Sequence, residues 1–453
     1  MNHERQNLSG TASKQNLARR ALSRFEMDLE ESISRIRDQG LYRELRRIDS
    51  PQSSRIGIGG KEFLNFSSND YLGLANDPVL KEAAIRAVER YGAGAGASRL
   101  ICGSLSPHHE LEQTLAEFKD TQAALSFSTG YAAAQGVICA LVGKGDTILV
   151  DRLVHACIID AARLSGATLR VFRHNDLNEL ERVLRYADEV QSPKSKVQSQ
   201  RSKVEGPKFK VEGPKSKVQN PKPDNAVAHL SHPGQRPRIL IVTESVFSMD
   251  GDAAPLREIV DLKEKYGAWL MVDEAHATGL YGANRSGLAE ESGVADQIEI
   301  QMGTLGKAIG ASGGYIAGSE KLITFLINRA RSFIFSTAPV PAAAAAAVAG
   351  VKFIQTDDGE KRRRVLWERV ERLASALHSG KPQVRSPIIP IQIGHESKAV
   401  AAAASLREQG LFIPAIRFPT VARGKARLRI TMTAGHTVGD VDALIAALRK
   451  LSF

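Results

Sequence analysis

The chain has 453 residues, 43% hydrophobic and 25% charged, with a formal net charge of +11 and three cysteines. That length exceeds an ordinary single domain and suits a large domain with a smaller companion. No run approaches the roughly 18 apolar residues of a membrane span, and the polar start Met1–Asn16 lacks the apolar core of a secretory leader. Cys102, Cys139 and Cys157 have no metal-ligand spacing, so no metal site is expected, and they read as reduced thiols of a cytoplasmic protein.

A charged amphipathic helix is expected over Leu17–Arg47, within a helical N-terminal segment, 1–60. Phe63–Ser67 reads as a short strand. Asp77-Pro78 opens a helix to Tyr91, with proline where a missing N–H costs nothing. Gly92–Arg99 is a small-residue loop that lets backbone approach a ligand closely. His109–Lys119 reads as helix and Ala123–Ser128 as strand, and Thr129-Gly130-Tyr131 starts the next helix. Thr147–Val150 is a strand that ends ahead of His155 and an Ala-rich helix.

Residues 192–237 interrupt this alternation. Ser192–Arg238 carries eight Lys and three Arg against Glu205, Glu212 and Asp224, so it holds +8 of the +11. A seven-residue unit recurs from Lys196, twice as Lys-Val-Glu-Gly-Pro-Lys. One valine per unit beside Gly-Pro cannot build a coiled-coil seam. The segment reads as a low-complexity insertion in a surface loop, and a role as a basic arm for nucleic acid is the weaker alternative. Its deletion is expected to leave turnover nearly intact.

Beyond it, strand and helix alternate again. Ile239–Val242, Trp269–Val272 and Ile298–Met302 read as strands, with a helix at Leu256–Tyr266. This βα alternation predicts an α/β fold with a large, mostly parallel sheet over 61–344 and a smaller C-terminal α/β domain over 345–453. That domain contains an expected strand at Ile388–Ile393, a helix at Ser397–Gln409, a strand at Arg427–Thr433 and a terminal helix at Gly439–Lys450.

The strand ends converge on one crevice, where ligands collect in such sheets. Thr243–Asp252, Asp273-Glu274-Ala275-His276 and Thr304-Leu305-Gly306-Lys307 all follow strands. A lysine able to form a Schiff base and an aspartate ending a parallel strand suit a pyridoxal-phosphate enzyme. The lysine holds the aldehyde, and the carboxylate keeps the ring nitrogen protonated.

The stretches Asn65–Leu74, Gly94–Leu100, Val242–Asp252, Met271–Thr278, Thr304–Lys307 and Ala415–Arg429 together resemble the α-oxoamine synthases, a fold-type-I pyridoxal-phosphate family. The resemblance covers about 17–190 and 238–453. It implies that Lys307 binds the cofactor aldehyde, Asp273 the ring nitrogen and His276 the phenolic oxygen. It implies that His155 stacks on the ring and Ser248 joins the hydrogen bonds around it. Gly130, Tyr131 and Thr304 are implied phosphate ligands, and Ser336-Thr337 would reach that phosphate from the other subunit of a homodimer with interfacial sites. Arg429 would hold the amino acid's carboxylate, with Asn69 beside it and Arg43 as a further substrate contact.

The resemblance is strongest to the branch that joins L-alanine to a pimeloyl thioester, with loss of CO₂. Ala415–Val421 carries that likeness, except that Phe418 stands where the branch usually has proline. Ile101-Cys102-Gly103 is similar instead to the glycine C-acetyltransferases, which remain the alternative with other α-oxoamine synthases. A nucleic-acid-binding protein that keeps a dead enzyme fold is the remote one.

Overall fold

The structure of the chain is a computed structural model, and it describes residues 23–191, 237–377 and 386–451. The basic repeat lies outside the described residues. Among the described residues the N-terminal helix runs to residue 38, short of the expected end at Arg47. It stops because Gly40 takes φ +65° and the Leu41 amide bonds back to the Ile36 carbonyl at 3.0 Å. A glycine closes such a left-handed turn at low steric cost.

Among the described residues thirteen strands follow: β1 (Arg55–Ile58), β2 (Lys61–Asn65), β3 (Ala123–Phe127), β4 (Thr147–Asp151), β5 (Thr168–Phe172), β6 (Ile239–Glu244), β7 (Trp269–Asp273), β8 (Ile300–Thr304), β9 (Gly314–Gly318), β10 (Ile388–Gly394), β11 (Leu411–Phe412), β12 (Ala415–Ile416) and β13 (Ala426–Thr431). Seven form the main sheet in the order β3-β9-β8-β7-β6-β4-β5. Every neighbouring pair is parallel except the two made by β9. Every residue of β4 and β6 is buried, as helices on both faces of a parallel sheet require. Each buried Ile, Leu or Val side chain there stabilises the fold by about 1.5–3 kcal/mol.

The exception at β9 follows from chain length. Residues 305–313 join β8 to β9. So short a link cannot make a parallel crossover, so β9 returns antiparallel. This link carries Lys307. A Cβ added at Gly314 would lie 2.6 Å from Gly130 Cα, so glycine alone lets β9 pass the start of the helix Gly130–Leu141.

The smaller C-terminal α/β domain holds the antiparallel sheet β10-β13-β12, covered by the helix Glu396–Glu408. A third sheet joins both ends of the chain, because β2 pairs parallel with β11. The segment expected to be helical through residue 60 therefore ends in a strand, β1. From β2 the chain runs along β13: the Thr431 amide donates to the Phe66 carbonyl at 2.9 Å, and the Ala434 amide to that of Tyr71 at 2.8 Å. This brings Asn69 and Tyr71 from the first sixth of the chain to the ends of the central strands.

Candidate active site

The C-terminal ends of β4, β6, β7 and β8 face one cleft, with Asp151, Glu244, Asp273 and Thr304 as their last residues. Lys307 enters from the β8–β9 link. Its amine lies 2.7 Å from His276 Nε2, and His276 Nδ1 lies 2.5 Å from the Tyr71 hydroxyl. Burial, then the charges of Lys307 and Arg429, hold the His276 pKa well below its usual value, so the ring is neutral. A protonated Lys307 then donates to Nε2. The proton on Nδ1 faces Tyr71, whose hydroxyl turns to Asn69 Oδ1 at 3.4 Å. Burial raises the Tyr71 pKa to about 12, so it stays a phenol.

Lys307 is itself tuned. Burial lowers its pKa to about 8, against the pull of Asp273 and Glu244. Asp273 is buried at the end of β7, and its Oδ1 accepts the Ala275 amide at 2.9 Å. Burial raises its pKa, and Lys307 opposes that rise. Glu244 stands in register with Asp273 on the next strand. Its Oε2 accepts the Ser248 amide at 3.2 Å, while its buried Oε1 has no hydrogen-bond partner among the described residues. Burial and the Asp273 charge raise its pKa to about 8.

His155 caps the helix Ala156–Ser165, its Nδ1 accepting the Cys157 amide at 3.3 Å and lying 3.0 Å from Cys157 Sγ. With Nδ1 as acceptor, the neutral ring carries its proton on Nε2. The residue is exposed on one side, yet crowded enough for burial to lower its pKa; the nearby Asp273 charge opposes this.

Arg429 is buried on β13. Its Nε donates to the Ser248 carbonyl at 2.6 Å, and both terminal nitrogens donate to Asn69 Oδ1 at 3.1 Å. Asn69 Oδ1 thus joins the lysine side of the cleft to the arginine side. An oxygen shared by both tines of a guanidinium marks the direction from which a carboxylate would approach.

The helix Gly130–Leu141 starts at the same edge. Thr129 caps it by accepting the Ala132 amide at 3.0 Å. The amides of Gly130 and Tyr131 belong to the first turn, which has no helical acceptors and forms an anion cradle. Thr304 is beside it: a Cβ on Gly130 would lie 3.9 Å from Thr304 Oγ1.

Lys307, Asp273, His276, Asn69, Ser248 and Arg429 are thus joined by hydrogen bonds or close charge, with His155, Thr304, Gly130 and Tyr131 along the same sheet edge. Arg43 is not among them. It lies on the surface and reaches the Phe418 carbonyl at 3.4 Å, where the segment 40–43 docks on 417–418. Ser336 and Thr337 lie apart too, and Thr337 pairs with Ser98 of the glycine-rich loop. Among the described residues, no hydrogen bond ties either to the Lys307 group. Sequence reasoning missed Tyr71, Glu244 and Cys157. Tyr71 and Glu244 depend on partners distant in the chain, His276 and Asp273, whereas Cys157 meets His155 only two residues away.

Comparison with known proteins agrees with this geometry. Residues 61–448 match the family model for class I and II aminotransferases. The 8-amino-7-oxononanoate synthase of Geobacter sulfurreducens is 42% identical over 422 residues, covering 92% of this chain and 96% of its own. That of Thermoanaerobacter pseudethanolicus is 42% identical over 93% of this chain and 96% of its own. The chain belongs to the α-oxoamine synthases, within the fold-type-I pyridoxal-phosphate enzymes. Among solved structures, a serine palmitoyltransferase from S. paucimobilis with bound PLP and myriocin superposes with a TM-score of 0.78. It is 27% identical and covers 94% of this chain and 97% of its own. The donor set described above suits the cofactor of these α-oxoamine synthases: a buried amine, a buried carboxylate at a strand end and a helix N-terminus beside a threonine hydroxyl.

Proposed function

We propose that this α-oxoamine synthase condenses L-alanine with a pimeloyl thioester, of coenzyme A or a carrier protein, to 8-amino-7-oxononanoate, the reaction of biotin biosynthesis. Release of the thiol and of CO₂ balances the reaction. The carrying observation is the Lys307 amine, set between neutral His276 and the Asp273–Glu244 carboxyls, with the Arg429 fork across the same cleft. The cofactor is pyridoxal 5′-phosphate, which when bound supplies an electron sink for charge at the alanine α-carbon.

The chain's own residues do the rest. Lys307 would hold the aldehyde, and its amine is the base that would take the α-proton, because its lowered pKa leaves much of it neutral near pH 8. Asp273 pairs with the ring nitrogen and His276 with the phenolic oxygen. His155 offers its ring face and its Nε2–H, and Ser248 completes the polar shell. Gly130, Tyr131 and Thr304 hold the phosphate. Arg429 binds the alanine carboxylate beside Asn69, and Arg43 lies toward the acyl entrance. Ser336 and Thr337 serve the partner's phosphate in a cytoplasmic homodimer. Exposed Phe335 and Val340 lie close to that pair in sequence, exposed Leu100 and Ile101 follow its bridge partner Ser98, and together they favour cover by a second copy. Among the described residues no helix is long and apolar enough to cross a membrane.

A panel of L-alanine, glycine and L-serine against pimeloyl and acetyl thioesters tests the substrate. Alanine with the pimeloyl donor should dominate. A preference for glycine with acetyl-CoA would move the chain to the acetyltransferase branch, as Ile101-Cys102-Gly103 suggests. Lys307→Ala should abolish both turnover and the absorbance of cofactor joined to the lysine.

A further inference from the structure

After β5 the chain turns through His174 and Asn175 into the helix Leu177–Gln191. Both ring nitrogens of His174 meet carboxylates: Nδ1 lies 3.0 Å from Asp151 Oδ1, and Nε2 lies 2.6 Å from Asp252 Oδ2. An imidazole between two carboxylates donates to both only as a cation. Phe247 packs against the ring edge-on, centroids 4.4 Å apart. Asn175, at φ +53°, bonds the same two segments: its amide N–H donates to Asp151 Oδ2 at 2.8 Å, and its side-chain NH₂ to Asp252 Oδ2 at 3.4 Å and to the Ala253 carbonyl at 3.0 Å.

The two aspartates root two different parts of the active site. Asp151 ends β4, and its Oδ1 also accepts the Leu153 amide at 2.8 Å, shaping the turn that presents His155. Asp252 closes the loop after β6, where its carbonyl accepts the Phe247 amide at 2.9 Å. That loop carries Ser248, whose carbonyl holds Arg429, and Asp250, which meets Arg427 at 2.5 Å.

We propose that His174 is a positioning residue: as an imidazolium it locks the turn presenting His155 to the loop gripping Arg429, and so fixes the separation between the ring face and the carboxylate fork. The inference rests on the roles given to His155 and Arg429 above. His174 touches neither residue and no reacting atom.

Asp151 from β4 and Asp252 from the loop are the charged groups facing it. Its neighbour Arg173 is turned away, to Asp176 at 2.7 Å and Glu179 at 2.9 Å. Burial disfavours the His174 cation, but its hydrogen bonds to Asp151 and Asp252 prevail and hold its pKa up at about 10. The raised value fixes the sign. The lock contributes its full stability below the unfolded value of about 6.5, and loses it as pH rises through about 10. A neutral ring has one N–H and serves one carboxylate only.

The test uses His174→Gln and Asp252→Asn in the full chain loaded with pyridoxal 5′-phosphate. In each, KM for L-alanine should rise about tenfold or more while kcat falls less than about threefold, and the double variant should be no worse than either. The thermal midpoint of the cofactor-free wild type should drop between about pH 9 and pH 11 by more than that of His174→Gln, in which only the buried lysines and tyrosines still titrate. Alanine KM within about twofold of wild type in both variants, or an alkaline drop as large in His174→Gln as in wild type, would overturn the proposal. A wild type that neither binds the cofactor nor uses alanine would instead overturn the proposed function, and this inference with it.

Discussion

To take up an aldehyde as proposed, Lys307 must be unprotonated, and its surroundings set how often that is so. Burial among His276, Asp273 and Glu244 brings its pKa to about 8, so the neutral fraction grows about tenfold per pH unit below that value. Uptake of pyridoxal 5′-phosphate by the cofactor-free protein, followed by absorbance, should accelerate with pH and level off above about pH 8. A rate that keeps climbing past about pH 10 would mean an ordinary exposed lysine. Arg429 poses a geometric problem instead. Its fork is held by the Ser248 carbonyl and Asn69, so it reaches a carboxylate with both tines already aimed. Lysine keeps the charge and loses the fork. Arg429→Lys should therefore raise the alanine KM about 10- to 100-fold, the loss of a charged hydrogen bond, with a smaller effect on kcat. Equal loss in both constants would place Arg429 in the chemical step.

At the scale of elements, the cleft exists because one short link forces β9 to run backward and delivers Lys307 to the edge where the parallel strands end. The Gly130–Gly314 approach keeps the helix start proposed to hold the phosphate against that strand. Gly314→Ala should push the two apart and weaken pyridoxal 5′-phosphate binding about tenfold or more, measured by equilibrium dialysis. Unchanged affinity would show that Gly130 does not line the phosphate. These elements were unequally legible in the sequence. The strands β4, β6 and β7 announce themselves because burial on both faces demands unbroken apolar runs, whereas β8 places buried Gln301 between Ile300 and Met302 and reads as alternation. The edge strand β5 exposes Thr168, Arg170 and Val171, so its pattern carries no such run. β9 reads Gly-Tyr-Ile-Ala-Gly, a composition set by close approach rather than strand propensity. Lys307 and Asp273 were legible because each follows a strand. The Tyr71–His276 contact was not, since it spans 205 residues of chain and no local pattern encodes it. The helix before Gly40 was overextended because its charged pattern continues past the residue whose backbone ends it.

At the scale of the molecule, the proposed phosphate ligands do not all come from one neighbourhood. Gly130, Tyr131 and Thr304 gather at the sheet edge, whereas Ser336 and Thr337 sit beside Ser98 without a bond to the Lys307 group among the described residues. If those two serve a second subunit, each site in a homodimer is built from both chains, and two defects can be sorted between them. A Lys307→Ala subunit lacks the amine but still offers Ser336 and Thr337 to its partner. A Ser336→Ala/Thr337→Ala subunit retains the amine but fails its partner's phosphate. Mixed dimers then contain one site with every group intact and one with both defects. Random reassembly makes about half the dimers mixed, so the mixture should recover about a quarter of wild-type turnover from two nearly inactive parents. Activity should follow dimer exchange and appear only after the subunits have been dissociated and rejoined. A mixture no more active than its parents' average would put Ser336 and Thr337 outside the neighbouring site, and the phosphate would then depend on the helix start and Thr304 of a single chain.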